Sequence, residues 1–106
     1  MSHPIIAVSQ RPEISIDYSF APDCISKASA LDWLAESFEF PSHFGNNWDA
    51  AWDCLSEVAW NPQQPITVYL TSAQATEVDP DSFAQLLELL SDAAEQWQGL
   101  VIYLQQ

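Results

Sequence analysis

The segment from Asp79 to Leu104 leaves this chain few folds to choose from. Phe83, Leu86, Leu87, Leu90, Ala94 and Trp97 recur at the spacing of a single helix face. Asp79 supplies an N-cap, Pro80 stands at the first helical position, and Asp81 suits the positive end of the macrodipole. Gly99 sits where a helix ends on a left-handed residue. LVIYL, residues 100–104, follows with almost no linker, so this strand folds straight back along the helix. ITVYL at 66–70 is a second continuous apolar run, of the kind a parallel sheet buries on both faces.

The remaining elements fit around that unit. EISIDY, residues 13–18, sets Ile14, Ile16 and Tyr18 apart from Glu13, Ser15 and Asp17, a period of two that predicts a half-buried strand. Pro22 and Asp23 then mark a turn. Ala30, Leu31, Leu34 and Phe38 predict a helix over about 30–38. Ser29 is one candidate cap, with Asp32 in the capping-box place, and Ser26 is a rival about one turn earlier. The helix ends before Pro41, and FPSHFGNN, residues 40–47, is a loop holding one of only two glycines. Asn47 caps a second helix running from Trp48 to about Val58, which Asn61-Pro62 stops. Residues 71–78 show weak helical periodicity, worth one turn.

Strand, helix, helix, strand, helix, strand is an order in which each strand pair needs a crossover, hence a parallel sheet with right-handed connections. The predicted fold class is α/β: a small three-stranded parallel sheet flanked by helices, with residues 13–106 as one domain. Residues 1–12, with Pro4 and Pro12 around IIAV, read as an N-terminal extension or an added edge strand.

Charge limits what such a domain can bind. Fifteen acids stand against two bases, Arg11 and Lys27, so 2 − 15 gives −13. Nucleic acids are gripped mainly through phosphate-neutralising Lys and Arg, and anionic membrane surfaces repel such a chain, so neither is an expected partner. Hydrophobic residues at 48%, with five tryptophans, separate it from disordered acidic tails, which cannot bury a core. Cys24 and Cys54 are too few for a disulfide framework and read as reduced, mostly buried thiols. MSHPIIAVSQ lacks the basic start and long apolar run of a signal peptide, and no stretch approaches the roughly 20 apolar residues of a membrane span. A cytoplasmic protein, monomeric when free and without a cofactor, is the expectation.

On a helix over 48–58, Trp48, Ala51, Leu55 and Val58 fall on the core side. Asp49 and Asp53 share the opposite side, Trp52 borders them, and Glu57 extends the acidic stripe. Like charges at i, i+4 cost a few tenths of a kcal/mol, about what one favourable pair would contribute, so local stability does not explain them. A solvated helix face would account for acids alone. The company of His43, Phe44, Gly45 and the two asparagines, with a half-covered Trp52, instead suits a protein-binding hot spot. Catalysis finds no Ser/His/Asp or Cys/His set: His3 sits near the terminus, and Cys54 turns toward the core side. Asp49, Asp53 and His43 lack the spacing of a metal-ligand motif, so no metal is expected.

The string HFGNNWDAAWDCL, residues 43–55, resembles the signature of the barstar family, the intracellular inhibitors of barnase-like ribonucleases. Phe44, Gly45, Asn47, Asp49, Ala50, Trp52, Asp53, Cys54 and Leu55 all match that family's aromatic–Gly–x–Asn–x–Asp–Ala–x–Trp–Asp–Cys–Leu run. Pro41 is in register, and the helix–Gly–strand ending follows the same pattern, so the likeness spans about residues 13–104. It implies a loop and second helix that plug a basic ribonuclease's active site, with Asp53 where a substrate phosphate sits. Asp49 would pair with a partner Arg or Lys, Trp52 would pack on the rim, and Gly45 and Asn47 would present backbone and amide groups. Asp92 falls at a partner-facing glutamate of the family. His43 stands where ribonuclease-binding members often carry a phenol, and Asn46 replaces an acid. The alternative is the same fold used as an acidic binding module for another cationic protein or toxin.

Overall fold

A computed structural model describes residues 5–41 and 44–105. In chain order the elements are β1 (Ile5–Val8), β2 (Tyr18–Phe20), β3 (Cys24–Ile25), α1 (Lys27–Ser37), α2 (Trp48–Ser56), β4 (Ile66–Thr71), β5 (Glu77–Val78), α3 (Pro80–Gln96) and β6 (Leu100–Gln105). The main sheet runs β1-β6-β4-β2, and every neighbouring pair is parallel. The α/β layout with a parallel sheet is as expected. A fourth strand joins the three foreseen, because Ile5–Val8 pairs with Ile102–Gln105.

Tyr18, Val68, Ile102 and Ile5 stand side by side across the sheet. Their face carries Phe20, Leu70, Leu100 and Leu104, which meet Leu31, Leu34, Leu55, Leu86 and Leu90 of the three helices in one core. Strand side chains alternate, so Tyr69 and Tyr103 point to the other face. Tyr69 is nonetheless buried. The connection from β1 to β2 covers it, with the Arg11 guanidinium 5.1 Å from its ring centroid. Handedness accounts for that route. The steps β2 to β4 and β4 to β6 move one way across the sheet with helices on one face. The step β1 to β2 moves back the other way, so a crossover of the same hand must pass over the opposite face. Residues 9–17 are thus a strap beneath the sheet, and the IIAV segment is an edge strand rather than a loose extension.

Several boundaries shift for tertiary reasons. The strand expected over 13–18 forms only at Tyr18–Phe20, and Ile14 is exposed. Asp17 replaces the last ladder rung, its N–H donating to the Thr67 carbonyl at 2.9 Å and its Oδ2 accepting the Thr67 N–H at 2.7 Å. Ser26 rather than Ser29 caps α1, and the two serines cap reciprocally: Ser26 Oγ accepts the Ser29 amide and Ser29 Oγ accepts the Ser26 amide. The chain is held extended through Ile25 by β3, so the helix begins immediately after it. At its other end Glu39 takes a left-handed φ of 54°, and the Phe40 N–H closes on the Ala35 carbonyl at 2.9 Å.

Residues 71–78 form no helical turn. Ala75 N–H donates to the Ser72 carbonyl in a tight turn, and Glu77–Val78 then pairs in parallel with Cys24–Ile25. Cys24 is exposed there, contrary to the expectation of two mostly buried thiols, because β3 lies in this two-stranded outlier rather than the core. Helix α3 matches its reading, except that Asp79 makes no side-chain cap to the backbone and accepts the Ser82 hydroxyl at 2.7 Å instead. It also stops earlier than expected, at Gln96 with an extended Trp97 as C-cap, so Gly99 does not end the helix but lies at φ 113° in the turn that leads into β6.

Candidate partner-binding face

The loop before α2 is built from short-range bonds. Phe44 N–H donates to the Pro41 carbonyl at 2.9 Å, and the Phe44 ring meets Phe40 edge-on at 5.0 Å between centroids. Phe44 is half-buried and packs on the core, so it anchors the loop as well as bordering its surface. Gly45 leaves little room: a Cβ there would lie 3.1 Å from Asn47 Nδ2. Asn46 adopts a left-handed φ of 52°, a conformation Asn tolerates better than most residues. Asn47 caps α2 as expected, Oδ1 accepting the Ala50 amide at 2.8 Å, while Nδ2 donates to the Gly45 carbonyl at 3.2 Å. His43 lies outside the described residues.

Helix α2 runs Trp48–Ser56, two residues short of its expected end. Glu57 and Val58 fold into tighter three-residue bonds, and the Trp60 indole N–H takes the Leu55 carbonyl at 3.0 Å. Asp49 and Asp53 are exposed, and Trp52 is half-buried. Trp48, Asp49 and Trp52 line one wall of a shallow groove of about 200 Å³; Gln85, Glu88, Leu89 and Asp92 of α3 line the other. Asp92, 39 positions from Asp53 in the chain (92 − 53), therefore joins Asp49 and Trp52 at one site. Asp53 stands one turn farther along α2, outside the lining.

Glu88 belongs to the same groove and was missed by sequence reasoning. Its signal was there: Glu88 and Asp92 form an i, i+4 acidic pair on α3 like Asp49 and Asp53 on α2. Trp52 also departs from a free rim position, because its ring packs on Trp97 at 4.8 Å. The two bases offer these acids little counter-charge. Arg11 is on the far sheet face, and Lys27 lines a cleft with Asn46 at the start of α1.

Cys54 is half-buried beside Phe38, Phe40 and Val58. Burial pushes its thiol up from the ordinary value, and the nearby Glu57 and Asp53 carboxylates push it the same way, so it is a poor nucleophile at neutral pH. Among the described residues no group of three His, Cys, Asp or Glu side chains is placed to hold a metal ion. No described helix is long and apolar enough to cross a membrane.

A one-sided helical layer over a parallel sheet thus presents Asp49, Asp53, Glu88 and Asp92 to solvent around a partly buried Trp52. The sequence model of the family described as Barstar (barnase inhibitor) matches residues 17–105, and the chain belongs to the barstar family. Members of that family are inhibitors rather than enzymes. The Bacillus subtilis (strain 168) protein YrdF, provisionally named a ribonuclease inhibitor, is 33% identical over 66 residues, which cover 61% of this chain and 69% of that one. The matched region begins at residue 17, so β1 and most of the strap lie outside it.

Proposed function

We propose that this protein is an immunity-type inhibitor that blocks the active site of a basic ribonuclease in the cytoplasm. The observation that carries the reading is the groove between α2 and α3, where Asp49, Glu88 and Asp92 stand around Trp52, with Asp53 one turn away and Asn47 at the loop end. A ribonuclease grips RNA with cations aimed at phosphates. Carboxylates held on a helix meet those cations with charge-assisted hydrogen bonds, and Asp53 takes the place of a substrate phosphate. Asp49 and Asp92 bind flanking Arg or Lys groups, while Trp52 contributes apolar contact beside them. Phe44, Gly45 and Asn47 present the loop, to which His43 belongs. The net charge of −13 draws a cationic partner in from a distance.

The test is an RNA-cleavage assay with basic ribonucleases of the barnase type and with those encoded in the same genome, together with co-purification. Stoichiometric loss of cleavage by at least one of them is the expected result. A chain that co-purifies with a cationic protein lacking ribonuclease activity, and inhibits no ribonuclease, would replace this reading with that of a general acidic binding module.

A further inference from the structure

We infer that Trp97 is a positioning residue of the binding face, acting through Trp52; the inference rests on the proposed reading of that face. Trp97 ends α3 as its C-cap, its N–H donating to the Ala93 carbonyl at 2.8 Å. From there its ring sits between two indoles that belong to α2 and the turn after it. Trp52, from the middle of the helix, lies 4.8 Å away at an interplanar angle of 33°. Trp60, beyond its end, stacks at 6.0 Å and 5°. Trp60 in turn donates its indole N–H to the Leu55 carbonyl in the last turn of α2, and at 5.9 Å it meets Phe38, which leads into the packed interior.

All three indoles are partly buried and pack against the edge of the core, and of the three Trp52 alone also lines the groove. The effect of the stack falls on Trp52, which lines the groove and is packed against Trp97 at the same time. A bulky side chain left loose at a surface would have to be ordered when a partner arrives, and that ordering weakens association. Fixed beforehand between α3 and α2, the Trp52 ring meets the partner in a single orientation, in the groove that Asp49 and Asp92 also line. Nothing in the run of residues 43–55 encodes this, because Trp97 lies on another helix.

The experiment uses the full chain labelled with 5-fluorotryptophan, and catalytically inactivated barnase as the probe. Trp52→Phe assigns the Trp52 fluorine signal. That signal is expected to be one narrow line in the wild type and in Trp97→Phe, and to shift and broaden in Trp97→Ala. Affinity for the probe is expected to fall about tenfold in Trp97→Ala, to return in Trp97→Phe, and to change little when Trp97→Ala is added to Trp52→Ala, since the two act as one unit. An unchanged Trp52 line in Trp97→Ala overturns the inference whatever the probe does. So does an equal loss of affinity from Trp97→Ala in both backgrounds, which marks a merely structural role. A wild type that ignores the probe while its Trp52 line still depends on Trp97 upholds the positioning and counts against the ribonuclease reading alone.

Discussion

Asn47 Oδ1 accepts the backbone amide of Ala50 at 2.8 Å, so the residue that closes the loop before α2 is also the one that starts the helix. Its Nδ2 holds the Gly45 carbonyl from the other side. Loop and helix therefore share a single hinge point. Replacing Asn47 by Ala is expected to lower the unfolding free energy by about 1 kcal/mol in urea titration, the usual cost of a lost cap. Asn47→Asp keeps the cap acceptor and loses only the bond to Gly45, so its stability should stay near that of the wild type.

Asp53→Ala is expected to weaken binding to an inhibited ribonuclease more than any other single change on the face, by at least about tenfold, because it leaves partner cations desolvated and unpaired. Glu13→Gln, on the strap away from the helices, should leave affinity unchanged. Stopped-flow mixing at rising ionic strength should slow association while dissociation changes less, as screening removes long-range attraction. Equal losses from Asp53→Ala and Glu13→Gln would show the binding face to be elsewhere.

Gly99→Ala is expected to cost roughly 2 kcal/mol or more. A Cβ there would sit 2.9 Å from the backbone of Asn61, at a φ of 113° that other residues rarely adopt. Denaturation midpoints check this directly, and a midpoint equal to wild type would mean the 61–66 turn can move aside.

Removing residues 1–12 takes away β1, uncovers the edge of β6 and frees Tyr69 from Arg11. The shortened chain should be less stable by at least about 2 kcal/mol and more prone to associate, since an open strand edge invites pairing. Arg11→Ala alone should cost about 0.5–1 kcal/mol, the range of a partly exposed cation–π contact. Thermal unfolding and light scattering report both effects, and identical melting of full and shortened chains would make β1 an idle appendage.

Cys54 gives a pH-dependent signature. Its thiol is raised by burial and by Glu57 and Asp53, so between the unfolded and folded values the native state holds a proton that the unfolded state has released. The corresponding stability is fully present below the ordinary thiol value of about 8.5 and is lost as pH rises through the folded one. Alkylation of Cys54 at neutral pH should be slower than that of exposed Cys24, and Glu57→Gln should speed it. Mass spectrometry of partly alkylated protein separates the two sites, and faster labelling of Cys54 would contradict its environment.

Much of the fold was legible because it is written in local periods. The apolar face from Phe83 to Trp97, the turn at Gly99, the strand after it and the Asn47 cap each depend on residues within a turn or two of one another. The strand predicted over 13–18 failed because alternation describes only a preference; pairing with β4 decided where it became a ladder, and Asp17 filled the last rung with its side chain. Weak periodicity in 71–78 misled for a related reason: Glu77 and Val78 pair with residues more than fifty positions earlier.

The sequence by itself determined a parallel α/β domain and the identities on one helix face, Asp49, Trp52 and Asp53, because helix spacing alone puts them together. Only the tertiary structure decided what stands opposite them. Glu88 and Asp92 reach Asp49 because α3 lies beside α2, Trp97 braces Trp52 because α3 ends there, and residues 9–17 become a strap because handedness sends them under the sheet. Those relations cross between elements far apart in the chain, and they are set by which buried surfaces meet, not by any local period.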